Sequence, residues 1–248
     1  MVTFFDSDCV VGRRQVMQPE SYYETATLVE RMGEMGVGRA LVTHSVAREY
    51  NAVEGNALAV REVAGRRMLE AKWVAMPHHT GEFPRPDALR GMLKENGIRS
   101  VAMYPADHNF SLEPWCCGEL LAMLEACNVP LFVEAGQVAW GTLDATLSTY
   151  PRLPLVLTHL YYGHARFIYP LLERHERLAI ETFGFKNYNG IEDVCKRFGA
   201  DRLIFGSGAP IYPMSAAIGM VMYADIGPDE KQAIAGGNLE RLLEGVTL

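Results

Sequence analysis

The stretch Leu153-Pro-Leu-Val-Leu-Thr-His-Leu160 is a short aliphatic run that ends in a histidine. Apolar runs of this length, without a helical period, suit a strand buried on both faces, as in a parallel sheet. His159 therefore stands where a buried strand leaves the core. Outward from it, similar runs fill residues 2–8, 39–44, 72–77, 98–104, 130–134, 178–182 and 202–206. Several of them end in groups able to hold a proton or a metal: Asp8, His44, the pair His78 and His79, Tyr104, Glu134 and Glu181.

Between the runs lie segments with helical signals. Helices are expected over 21–35, 52–67, 86–95, 114–127, 143–149, 167–175, 191–198, 215–224 and 228–243. Ser21, with Glu24 three residues on, has the spacing of a capping box. Asn96-Gly97 is a helix stop, and Leu120, Leu121 and Leu124 share one helical face. Eight strands, each followed by a helix, at about 31 residues per unit, match the count and size of a (β/α)8 TIM barrel of the α/β class. A doubly wound open sheet is the alternative, weakened by the lack of G-x-G-x-x-G after the first strand. In both architectures the functional groups gather at the carboxyl ends of the strands.

Composition narrows the partners. With 248 residues, 49% hydrophobic and 21% charged, and no Pro/Ser-rich linker or charge block, the chain reads as one domain over residues 1–248. A net charge of -7 offers no basic surface to nucleic acid or acidic lipid, so a small-molecule substrate is the expected partner. No apolar run approaches membrane-spanning length. Five cysteines, an odd number without C-x-x-C spacing, read as reduced thiols in a cytoplasmic setting. The assembly expected is a homodimer.

Five segments together carry a resemblance. They are Phe4-Phe-Asp-Ser-Asp-Cys-Val-Val-Gly-Arg13, Val129-Pro-Leu-Phe-Val-Glu134, Leu155-Val-Leu-Thr-His-Leu160, Arg202-Leu-Ile-Phe-Gly-Ser-Gly-Ala-Pro210 and Ile234-Ala-Gly-Gly-Asn-Leu-Glu-Arg-Leu-Leu243. In this order they resemble the amidohydrolase-related (amidohydrolase 2) family of metal-dependent TIM-barrel hydrolases and decarboxylases. The resemblance implies Asp-x-His-x-His on the first strand, a His closing the fifth, a His closing the sixth and an Asp at the eighth. Asp6 keeps the leading Asp, but Asp8 and Val10 stand where the two histidines belong. Glu134 replaces the fifth-strand His, His159 is kept, and Gly208 replaces the eighth-strand Asp.

These losses differ in weight. Val10 cannot bind a metal and Gly208 cannot move a proton, so a hydrolytic water loses both a ligand and a base. Asp8, Glu134 and His159 remain as catalytic candidates and as a two-carboxylate, one-imidazole metal set, with oxygen donors better suited to manganese or magnesium than to zinc. The same groups also fit a metal-free mouth in which the carboxylates pair with Arg13 or Arg14.

The substrate-binding candidates are Asp6, Arg13, His44, His78, Tyr104 and Glu181, each with a bland counterpart. A His just past a strand also caps helices, Tyr104 also packs on a rim, and Glu181 also binds backbone amides. The aromatic cluster Tyr161, Tyr162, Phe167 and Tyr169 either walls a pocket or covers the rim. Two functions stand side by side: a hydrolase or decarboxylase acting on a small carboxylate-bearing or cyclic substrate, or a barrel kept for ligand binding or assembly without catalysis.

Overall fold

The computed structural model describes residues 2–19 and 21–248. Nine parallel strands form two runs: β1 (Phe4–Val11), β2 (Val37–His44) and β3 (Leu69–Ala71), then β4 (Trp73–Val74), β5 (Val101–Met103), β6 (Leu131–Glu134), β7 (Leu155–Thr158), β8 (Leu178–Glu181) and β9 (Leu203–Ile204). β3 and β4 are one run interrupted at Lys72. Its backbone stays stitched to both sides, Lys72 N donating to Val42 O at 2.9 Å and Trp73 N to Ser100 O at 3.2 Å. The sheet closes where β1 meets the chain after β9: Ser7 N donates to Phe205 O at 3.0 Å, Val10 N donates to Ala209 O at 2.8 Å, and Cys9 bridges Ala209 in parallel. Closure decides for the TIM barrel against the open sheet.

Strand β5, β7 apart from its final Thr158, and β8 apart from its final Glu181 are apolar, and all three strands are buried, as strands covered on both faces must be. β1 is the exception. It buries Asp6, Ser7 and Asp8 inside an otherwise apolar strand and continues to Val11, three residues past its expected end. Its register against β2 runs from Asp6↔Ala40 to Cys9↔Val42, three steps against two, so an extra residue is accommodated around Ser7 and Asp8. Bulges of this kind re-aim side chains beside functional sites. Asp6 supports this one: its Oδ1 accepts from Asp8 N and from Ser207 N, both at 3.0 Å, tying the irregular stretch of β1 to the chain leaving β9.

The helices follow the expected order with three departures. The first, α1 (Thr25–Met35), starts four residues after Ser21, because Tyr23 O is taken by Gly12 N at 2.9 Å and is withheld from a helical turn. A short helix, α2 (Ser45–Glu49), precedes α3 (Ala52–Val63). The expected C-terminal helix divides into a short helix (Pro228–Gln232), a π-turn (Ala233–Gly237) and a final helix (Asn238–Glu244). That wider turn carries Gly236 against Thr3 and Phe5, closing the bottom of the barrel.

α2 lies directly on α3 at Gly55, where an added Cβ would come within 2.0 Å of Ala47 N. Backbone cannot yield as a side chain can. Gly55→Ala is therefore expected to destabilise the protein by about 1–3 kcal/mol through overpacking, read as a Tm lowered by roughly 2–12 °C. An unchanged melting curve would mean that α2 is free to move away.

Candidate active site

The bulge in β1 brings Asp8 into the barrel, where His159, Lys72 and Glu181 converge on it. Asp8 Oδ2 pairs with His159 Nε2 at 2.8 Å, and Asp8 Oδ1 lies 3.4 Å from Lys72 Nζ. Lys72 is 2% exposed; its ammonium donates to Ser7 O at 2.8 Å and sits 4.6 Å from the centre of the Phe132 ring. Beside them Glu181, fully buried, accepts from Ser7 Oγ through Oε1 at 2.7 Å and leaves Oε2 without a partner. Gly206 makes room for that carboxylate, since a Cβ there would stand 2.0 Å from Glu181 Oε1.

These contacts set the protonation states. Burial alone would raise Asp8, but the charges of Lys72 and His159 outweigh it and hold the carboxyl well below its usual range. For His159 burial works downward, and the hydrogen bond and charge of Asp8, with Glu134 and Glu181 behind, carry it up to about 9. Glu181 moves up to about 8, through burial first and then the neighbouring charge of Asp8. At neutral pH the group is an ionised Asp8 between two cations, with a protonated Glu181 beside them. His159 holds its place with a left-handed backbone, φ 53°, an unusual conformation for a side chain of this size. Its ring meets Phe183 edge-on at 5.6 Å.

Above this floor lies the mouth. Arg48, on α2, grips Glu134 through two hydrogen bonds of 2.5 and 2.9 Å, reaches Asp107 at 2.8 Å and stacks over Tyr104 at 4.3 Å. Arg14 pairs with Glu49 at 3.1 Å on the opposite side. Asp8, Val10, His44, Tyr104, Glu134, His159, Gly208 and Ile211 line the remaining space, about 20 Å³, room for about one water. Phe183 and Tyr212 fill the place a side chain at position 208 would need.

The sequence candidates separate on this geometry. Asp8, His44, Tyr104, Glu134 and His159 share the cavity, and Glu181 lies at its floor against Ser7. His44 is also spoken for, since its Nδ1 accepts from Val46 N at 3.2 Å and caps α2. Asp6 is sealed in the closure of the barrel instead of facing a substrate. Arg13 points outward and only its carbonyl is used, by Ser45, so Arg14 is the arginine at the mouth. His78 lies outside the cavity, stacked on His79 and 3.8 Å from Glu119. The ligand set also changes: Asp8, His159 and Glu181 are the group whose ligand atoms all lie within 4.8 Å of one another, while Glu134 is drawn away by Arg48.

A family model described as Amidohydrolase matches residues 14–245. The chain belongs to the amidohydrolase family. Among solved structures, a 2,6-dihydroxybenzoate decarboxylase from Rhizobium is similar over 98% of both chains, with 14% identity and a TM-score of 0.76. A dihydroxybenzoic acid decarboxylase from a Polaromonas species, solved with manganese and the inhibitor 2-nitroresorcinol, shares 13% identity over 98% of this chain and 97% of its own, with a TM-score of 0.72. A probable 2-pyrone-4,6-dicarboxylic acid hydrolase from Acinetobacter baumannii shares 14% identity over 97% and 99%, again with a TM-score of 0.72. A comparison with curated protein sequences yields no match.

Asp8, His159 and Glu181 thus make a candidate metal triad in an amidohydrolase fold. Whether a divalent ion fits is decided by what already surrounds them. Both oxygens of Asp8 face cationic partners, and His159 Nε2 is engaged with one of them. Two unit charges 4 Å apart repel by about 4 kcal/mol at an effective dielectric of 20, and a doubly charged ion doubles that. With Lys72 in place the triad does not fit a divalent ion, although its donor types would suit one.

Lys72 and Arg48 were not among the sequence candidates. Lys72 stands first in the expected strand 72–77, yet Leu69-Glu-Ala before it already belongs to the same run. Arg48 lies four residues past His44, on the short helix that follows the carboxyl end of β2.

The protonation states predict how stability follows pH. The folded chain keeps protons on His159 and Glu181, at about 9 and about 8, that the unfolded chain releases near its ordinary 6.5 and 4.5. Stability from a raised group is full below the unfolded value and is lost as pH rises through the folded one. Tm should therefore fall between pH 6.5 and 9, and His159→Gln should flatten the upper part of that fall. A Tm that rises across this window would contradict the assignment.

Proposed function

We propose that this amidohydrolase-family barrel decarboxylates a small, flat carboxylate at its mouth. The observation that carries the reading is the Asp8–His159 pair, an imidazolium held at 2.8 Å by a buried carboxylate. Asp8 engages Nε2, so the acid in this reading is the N–H of Nδ1, for which no hydrogen bond is seen among the described residues. Hydrolysis needs a base for its water, and no carboxylate here is free to act as one. Glu134 is held by Arg48, Asp8 by Lys72 and His159, and Glu181 is neutral at pH 7. Decarboxylation needs an acid. The bond between the substrate carbon and its carboxylate breaks, the electron pair stays on that carbon, the proton of Nδ1 replaces the lost CO2, and solvent reprotonates the ring.

Arg48 and Arg14, each paired with protein carboxylates at the mouth, are the cations an arriving carboxylate could exchange onto, and the apolar wall of Val10 and Ile211 favours loss of a charged carboxylate to neutral CO2. The neighbouring decarboxylases act on dihydroxybenzoates, and this class of phenolic carboxylate, with the pyrone dicarboxylate as a hydrolytic control, is the panel to assay. CO2 release in D2O with one deuterium on the vacated carbon is expected. His159→Asn should keep the fold and lower kcat by roughly 10²–10⁴-fold, and wild-type kcat should fall as pH rises through about 9. Ring opening without CO2 would replace this reading by hydrolysis, and an unaffected His159→Asn enzyme would remove His159 from the chemistry.

A further inference from the structure

We infer that Lys72 is the resident cation of this barrel: its ammonium takes the place that a divalent metal would hold at Asp8, His159 and Glu181, and the site is built to work without metal. Lys72 leaves the wall of the barrel at the break between β3 and β4 and is buried along its whole length. Everything around Nζ accepts: the Ser7 carbonyl at 2.8 Å, the Asp8 carboxylate at 3.4 Å and the face of Phe132 at 4.6 Å. Three acceptors and no competing donor are the surroundings of a charged ammonium.

The contact to Ser7 links the ammonium to Glu181 as well, because the same serine that gives Lys72 its carbonyl donates its hydroxyl to Glu181. A lysine differs from a metal in what it permits. It carries one positive charge rather than two, and it has no open coordination position to activate a water. The missing ligands at Val10 and Gly208 are then consistent with Lys72 and not a defect: a site with a covalently attached cation has no use for them. The inference shares its site with the proposed decarboxylation but not its chemistry, since metal binding is read whether or not any carboxylate turns over.

The test uses manganese and zinc chlorides as probes. Purified wild-type protein, incubated with each metal and dialysed, should hold well under one equivalent by elemental analysis, and its Tm should not move with either metal. Lys72→Met removes the charge while keeping an unbranched side chain, and should leave Asp8, Glu181 and His159 able to bind. That variant should take up one equivalent of manganese or zinc and gain Tm with metal concentration; Lys72→Gln should do the same and serves if the methionine variant does not fold. Stoichiometric metal in the dialysed wild type would overturn the inference on its own. So would a folded Lys72→Met or Lys72→Gln protein that binds neither metal, because Lys72 would then not be what keeps a metal out.

Discussion

A carboxylate carried into the dry centre of a barrel has to be matched by positive charge, and the pairing of Asp8 with Lys72 and His159 meets that requirement. An unpaired carboxylate there would cost several kcal/mol and would take up a proton instead. Matched on both oxygens, Asp8 stays ionised and in turn keeps His159 protonated. Glu181 stays protonated chiefly because it is fully buried, and the neighbouring charge of Asp8 adds to the effect of burial. One pairing thus bears on every titratable group on the floor of the site.

The backbone supports that pairing at some cost to regularity. A regular β1 would place Asp6 and Asp8 on one face and Ser7 on the other. The irregularity against β2 breaks this alternation, so that Asp6 can serve backbone amides while Asp8 meets Lys72 and His159. The interruption at Lys72 and the left-handed turn at His159 are the matching irregularities on the third strand run and on β7. These three irregularities fall at residues that meet in the site.

This explains what was legible in the sequence. The barrel could be read because its strands β5 to β8 are apolar runs and burial on both faces leaves that mark. His159 and Tyr104 could be read because they stand directly past strand ends, and Asp8 because it stands at a motif position of the family although β1 runs on to Val11. Glu181 and Glu134 could be seen as candidates but not ranked, since which carboxylate joins Asp8 depends on Arg48 capturing the other, and that contact joins residues far apart in the chain. Lys72 was hidden for the opposite reason: a lysine beside a tryptophan at the start of an apolar run looks like a snorkelling end residue, and only barrel closure shows that it has no water to reach. Asp6 misled because a motif position says where a residue stands along a strand and not which neighbours claim its oxygens.

The mouth adds a constraint of its own. With room for about one water, the cavity admits no organic carboxylate until Arg48 moves, because Arg48 spans it from Tyr104 to Glu134 and Asp107. Arg48 is held by carboxylates, and an arriving carboxylate offers it the same bidentate partner, so the exchange replaces one charge-assisted pair with another instead of breaking one outright. Glu134, released, would lie beside a cation already near it, since His159 Nε2 is 3.7 Å away. Opening the site for an anion therefore leaves no charge stranded. An uncharged ligand of the same shape would have to part Arg48 from Glu134 with nothing to offer either, and under the proposed function this difference in cost would favour carboxylates before any chemistry begins.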